Sequence, residues 1–143
     1  MTSQTGQYVI KSKWMHLDSL EQFLKDFIGS DSCLNYCSGY SMIGNVRVDK
    51  NGQSWRTKEG DLFNAKNEFE DNSFDWVYCD PPFEFYTSGE NRIRWQLALF
   101  DIAKKGLITR RPKVVVRMKS KRHEYYIIED GRLSLDLLRI DYH

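Results

Sequence analysis

The sequence has few cysteines, no long apolar run and almost no charge excess. Cys33, Cys37 and Cys79 are an odd set of three and form no Cys-x-x-Cys unit with histidines at zinc spacing, so reduced, metal-free thiols are expected. The longest apolar stretches resemble Tyr125 to Ile128 and Val114 to Val116, well short of the roughly 18 residues a membrane span needs. The start, Met1 to Ile10, is polar and lacks a signal-peptide core, so a cytoplasmic location without membrane association is expected. Lys and Arg number 21 against 20 Asp and Glu, which argues against a polyelectrolyte tail. No internal repeat or low-complexity tract is present.

What is there is enough for one ordinary core. With 143 residues, 41% of them hydrophobic, the chain fits one domain. A chain of that length buries roughly 68% of its unfolded surface. We read residues 1–143 as a single trimmed domain, with 1–30 an N-terminal segment and helix and 31–143 a sheet core.

Leu20, Leu24, Phe27 and Ile28 fall on one stripe of a helix over Leu17 to Ile28, with Asp18 and Glu21 spaced for a capping box and Gly29 as the stop. Cys33 to Cys37 reads as a strand running into the loop Ser38 to Gly44. Asn45 to Asp49 alternates as a second strand and ends at the turn Lys50-Asn51-Gly52; Trp55 to Asp61 is less clear. Phe74 to Cys79 is the best-defined strand. Two prolines follow it at once, so the chain must turn off the strand end at Asp80-Pro81-Pro82-Phe83 in a fixed extended conformation. Ile93 to Lys104 is helical and apolar on more than one face, with Gly106 as its stop; Lys113 to Met118 reads as a doubly covered strand. Tyr125 to Ile128 and Leu133 to Ile140 flank Asp130-Gly131, a type I′ hairpin signal. The alternation predicts an α/β fold, a mostly parallel sheet with a C-terminal antiparallel hairpin.

Asp80 to Phe83 carries the chemistry. Ligands of open α/β sheets bind outside the carboxyl ends of strands. Two prolines there remove N–H donors and keep carbonyl acceptors. Such a turn suits a planar amino group, which can donate to the Asp80 carboxylate and the Pro81 carbonyl while Phe83 stacks on its plane.

These residues resemble the signature of the S-adenosylmethionine-dependent amino-methyltransferases: Asp or Asn, Pro, Pro, then an aromatic residue. Here it is Asp80, Pro81, Pro82 and Phe83. Upstream, Cys37-Ser38-Gly39-Tyr40-Ser41 is similar to the family's cofactor glycine loop. Asp49 is like the acid on the cofactor ribose, and Asp61 like the acid that meets its adenine amino group. The resemblance implies a compact Rossmann-like methyltransferase fold, S-adenosylmethionine as cofactor and Cys37, Ser38, Gly39, Asp49 and Asp61 as its contacts. It also implies catalysis by the Asp80 to Phe83 turn on an exocyclic amine of a nucleic acid, N6 of adenine in DNA first. The alternatives are N2 of guanine in RNA, a protein glutamine, and a non-catalytic nucleic-acid- or protein-binding remnant.

The chain departs from the pattern in one respect. Asp49 follows Gly39 by ten residues, too few for a helix and a strand, so Tyr40 to Gly44 must replace the first crossover helix. No metal is required, and His16, His123 and His143 are far in sequence from the motif. From Ile102 to His123 there are nine Lys or Arg and no acid, which predicts a basic face for phosphates; the resemblance implies DNA ahead of RNA as the nucleic-acid partner. A target base in a duplex would have to be flipped out. No stretch is left for a separate recognition domain, so specificity would come from Glu84 to Asn91, the basic tract, a homodimer or a specificity partner.

Overall fold

The computed structural model describes residues 9–87, 89, 91–112, 118–129 and 136–143. Its strands are β1 (Val9–His16), β2 (Cys33–Tyr36), β3 (Val46–Asp49), β4 (Lys58–Glu59), β5 (Phe74–Cys79), β6 (Ala103–Arg111), β7 (Arg122–Glu129) and β8 (Asp136–Tyr142). Its helices are α1 (Leu20–Ile28), α2 (Ala65–Glu68) and α3 (Asn91–Ile102), and a 3₁₀ turn covers Phe83–Tyr86. The strands form one sheet in the order β1-β7-β8-β6-β5-β2-β3-β4. Every pairing is parallel except those of β8, which runs antiparallel to both β6 and β7. The expected α/β class, with its parallel sheet and antiparallel C-terminal hairpin, is what the chain adopts. No helix among the described residues is long and apolar enough to cross a membrane.

Period-two burial builds both faces. Trp76 and Tyr78 of β5 point to one side, where Leu20, Leu24 and Ile28 of α1 cover them. Val77 and Cys79 point to the other, against Trp95, Leu99 and Phe100 of α3. Each fully buried side chain of this size contributes about 1.5–3 kcal/mol. β2 lies between β3 and β5: the chain runs outward from β2 to β3 and β4, then returns to the opposite side as β5 and β6. That reversal opens a crevice at the carboxyl ends of β2 and β5.

Several local expectations change. The helix begins at Leu20 behind a 3₁₀ turn, and Ser19 caps it without a side-chain bond. Glu21 is drawn away from a capping box by the Ser41 hydroxyl, which donates to it at 2.7 Å. Gly29 does end the helix, at φ 58°, with its N–H on the Lys25 carbonyl. Ile93 to Lys104 overshoots, because α3 passes into β6 without a loop at Ala103. Gly106 therefore stops nothing. It sits inside β6, where an added Cβ would lie 2.4 Å from the Asp141 carbonyl oxygen. The strand expected at Lys113 to Met118 lies, but for Met118, outside the described residues, as does the Asp130-Gly131 turn. β1 follows no apolar alternation and is held by main-chain pairing to β7. His123 is buried in β7, and His143 stacks on Phe100 at a centroid distance of 3.8 Å.

Candidate functional site

β2, β3, β4 and β5 deliver Cys37 to Gly39, Asp49, Asp61 and Asp80 to one crevice edge. Cys37 and Gly39 both take positive φ, 58° and 52°. For a cysteine that conformation costs about 1–2 kcal/mol and persists only where the surroundings impose it. They do: the Ser38 N–H donates to the Val48 carbonyl at 3.1 Å, and the Gly39 N–H donates to Asp49 Oδ2 at 2.7 Å. The other Asp49 oxygen accepts the Asn51 N–H at 2.8 Å. Asp49 is thus the clip that holds the glycine loop across the short Tyr40 to Gly44 connection. Each of its oxygens keeps acceptor capacity for a ligand.

Asp61 accepts the Phe63 N–H at 3.1 Å, starting the turn of Leu62–Asn64, and Lys50 Nζ is 3.5 Å from its second oxygen. Beside it, Gly60 is required by packing, since a Cβ there would lie 2.6 Å from Val48 Cγ1. Ser38 is 5% exposed, and its hydroxyl has no partner among the described residues. A buried hydroxyl without a partner is costly, and a ligand group would satisfy it.

Asp80 leaves β5 with its side chain 42% exposed, and Pro82 holds the extended geometry at φ −55°, ψ 151°. The Pro82 carbonyl is occupied by the Phe85 N–H at 3.1 Å; among the described residues no donor reaches the Pro81 carbonyl. Tyr86 donates its hydroxyl to the Arg110 carbonyl at 2.6 Å, fastening the turn to β6. Phe83 projects outward, 60% exposed. Desolvation in the crevice pushes the Asp80 carboxyl up to about 6; Arg110 opposes that shift and Asp136 adds to it.

Arg110 and Asp136 are functional candidates that sequence reasoning missed. Arg110 Nε and Nη2 reach Asp136 Oδ2 at 3.1 and 2.9 Å, and its Nη1 lies 3.6 Å from Asp80 Oδ2. Only the β6–β8 register brings these residues together, so no linear motif announces them.

Asp80 borders three spaces. A cavity of about 350 Å³ is shared with Cys37, Asp49, Asp61 and Leu62. A groove of about 650 Å³ runs past Ser38, Gly39 and Tyr40. A third space of about 310 Å³ lies between Phe83, Arg110 and Asp136. All of the sequence-predicted residues therefore meet at one edge.

The basic tract does not. Gly106, Tyr142 and Arg122 are aligned by strand register, which puts Lys104, Lys105, Lys121 and Arg122 at the edge opposite the crevice. Arg110 and Arg111 are the described members of the tract that reach the crevice edge, whereas Lys113 and Arg117 lie outside the described residues. Lys105 and Lys119 are moreover paired with Asp31 and Asp101 at 2.8 and 2.5 Å. Contiguity in sequence overstated the basic face, because a strand carries residues across the whole width of the sheet.

Solved structures share the fold over 87% of the chain. One is a SAM-dependent methyltransferase from Agrobacterium tumefaciens, at 11% identity and TM-score 0.59, with 61% of its own length covered. The chain has the methyltransferase fold. TrmN from Thermus thermophilus matches at 13% identity and TM-score 0.53, with 48% of its length covered. A candidate RNA methyltransferase from Pyrococcus horikoshii matches at 13% and 0.51, with 80% covered. The chain spans only about half to three-fifths of the length of the first two. No family model matches the sequence, and no curated protein does.

Proposed function

We propose that this protein is an S-adenosylmethionine-dependent N-methyltransferase acting on an exocyclic amino group of a nucleobase, with N6 of adenine in DNA as the first substrate. The observation that carries the reading is the position of Asp80. It stands at the switch point of a methyltransferase fold and opens both on the cavity of Asp49 and Asp61 and on the space beside Phe83. The donor set suits the cofactor: Asp49 would accept from ribose hydroxyls, Asp61 from an adenine amino group, and Leu62 and Phe85 would flank the ring. The unpartnered Ser38 hydroxyl and the Gly39 loop would meet the amino-acid end. When bound, S-adenosylmethionine supplies a methyl group on a sulfonium for in-line displacement.

The chain's own contribution is alignment. The Asp80 carboxylate and the Pro81 carbonyl accept the two N–H bonds of the target amine, fix its plane and stabilise positive charge as it develops on nitrogen. Phe83 stacks on the ring that bears the amine. The Pro82 carbonyl, already bonded to Phe85, does not compete. RNA is the second reading, supported by the Pyrococcus horikoshii neighbour's description.

Tritiated S-adenosylmethionine offered with DNA and RNA of matched sequence should give incorporation into one of them. No incorporation into either, with cofactor binding demonstrated, would sink the activity. Calorimetry tests the cofactor site separately. Asp49→Ala removes a charged acceptor worth about 1.5–3 kcal/mol per bond, so S-adenosylmethionine should bind about ten- to a hundredfold more weakly. Unchanged affinity would remove Asp49 from the site.

A further inference from the structure

The large hydrophobic side chains that stand exposed among the described residues are Tyr40, Met42, Trp55, Phe63 and Phe83, at 49–62% exposure. Tyr40 and Met42 lie in the loop after β2, Trp55 in the β3–β4 connection, Phe63 in the turn after β4 and Phe83 in the turn after β5. Three of them, Tyr40, Met42 and Trp55, line the same groove of about 650 Å³ that ends at Asp80 and Arg110. Exposed apolar surface gathered in one place marks an interaction site.

The two rings are built in rather than loose. Tyr40 and Trp55 meet edge to face with centroids 5.4 Å apart. The Trp55 N–H donates to the Gly39 carbonyl at 2.9 Å, and the Trp55 carbonyl accepts from Arg47 Nε at 3.0 Å. Arg56 Nη1 reaches the Asp49 and Lys50 carbonyls at 3.3 Å each. The rim is therefore organised before any ligand arrives, which lowers the entropy lost on binding.

Charge around the groove is divided. Its inner wall carries Asp18, Glu21 and Asp80, a poor lining for phosphate. The segment that bears Trp55, residues 45–58, holds Arg47, Lys50, Arg56 and Lys58 against Asp49 within the segment; Lys50, Arg56 and Lys58 reach Asp61, Glu59 and Glu68 only at 3.5–3.9 Å, loose pairs that a phosphate can displace. A ligand with a flat, uncharged ring that enters the groove and an anionic backbone that stays on the rim fits this division. An unpaired nucleotide strand has that chemistry.

We propose that Tyr40 and Trp55 form a stacking platform for an unpaired base beside the target nucleotide, with Arg47, Lys50 and Arg56 alongside its phosphates. The proposal rests on the nucleic-acid reading of the Asp80 site and adds to it. The substrate is presented single-stranded or locally opened, and the cations that hold it lie on the β3–β4 segment, not on the 102–123 tract.

The test is binding without turnover. A fluorescein-labelled single strand and its duplex are titrated with the wild-type chain and with Tyr40→Ala/Trp55→Ala, and calorimetry with S-adenosylmethionine is run on both proteins. Base stacking on aromatic rings is worth about 1–3 kcal/mol per base, so the double variant should lose about five- to a hundredfold in single-strand affinity. Cofactor affinity should stay unchanged, and the melting temperature should fall by no more than a few degrees, the loss of one aromatic pair. Single-strand binding by the wild type should be the tighter of the two and should quench tryptophan fluorescence, a signal that Trp55→Phe removes while retaining affinity. An Arg56→Ala variant should bind with a shallower dependence on salt. Equal strand affinity in the double variant, or loss of cofactor affinity in step with strand affinity, overturns the platform. If the wild type methylates nucleic acid while the double variant binds strands normally, the platform fails and the proposed function stands. If the wild type neither binds nor methylates any strand, both fail.

Discussion

Asp80→Ala is expected to lower kcat for methyl transfer about 10²- to 10³-fold, the loss typical when one preorganised electrostatic contact to developing charge is removed. Cofactor affinity should change far less, because Asp49, Asp61 and the glycine loop remain. The pH profile should carry the same residue's signature. An Asp80 carboxyl near 6 must be ionised to accept both the amine and its growing charge, so activity should fall on the acid side of about pH 6.

Stability moves in the opposite sense. Between the usual 3.8 and about 6 the folded chain keeps a proton on Asp80 that the unfolded chain has released. Stability is therefore lost as pH rises through that window, and the loss is complete above it. Asp80→Asn should consequently melt higher than wild type above pH 6 and show no such gain below about pH 4. An Asp80→Ala chain of full activity, or an Asn variant that melts lower at neutral pH, would contradict the assignment.

Asp141→Ala is expected to be the most destabilising substitution away from the crevice. Asp141 has no exposed surface and Arg139 almost none. The two share a forked contact, with Arg139 Nε and Nη2 at 2.9–3.0 Å from the carboxylate and the Ser120 hydroxyl at 2.8 Å from it. Removing the acid breaks a buried, forked ion pair from one side only, which costs about 3–5 kcal/mol. That is a large part of the roughly 5–15 kcal/mol a domain commands. A fall in melting temperature of about 10–15 °C should follow. Replacing both partners, Arg139→Met with Asp141→Leu, should recover most of it, because a buried ion pair exchanged as a whole for apolar side chains of similar volume is often neutral. A single variant within 2 °C of wild type, by calorimetric melting, would contradict the argument.

What the sequence made legible follows from the range of the interaction. α1, β2, β3 and β5 are written in local periodicity, and Asp80-Pro81-Pro82 forces its own turn, so these were readable residue by residue. So was the compressed connection between Gly39 and Asp49. β1 was not, because it is specified by pairing with β7 rather than by alternation. The α3 to β6 passage misled because helix and strand share one apolar run, and Gly106 looked like punctuation when it is a packing requirement. Arg110, Asp136 and the Tyr40–Trp55 pair are joined only through strand register and loop contacts. The polar layer of Arg139 and Asp141 looks in sequence like ordinary alternation of charge and aliphatic residues.

The pairing of β1 with β7 also sets an order of events. Met15 is matched with Ile128 and His16 with Glu129, across almost the entire chain. During synthesis β1 must wait, unpaired, until the residues of β7 have emerged. The crevice, by contrast, is built from strands close together in sequence. Long-range parallel pairing forms late because its loop closure is costly, and elements nearer in sequence assemble first. The central strands that carry the site can therefore be laid down before β1 finds its partner.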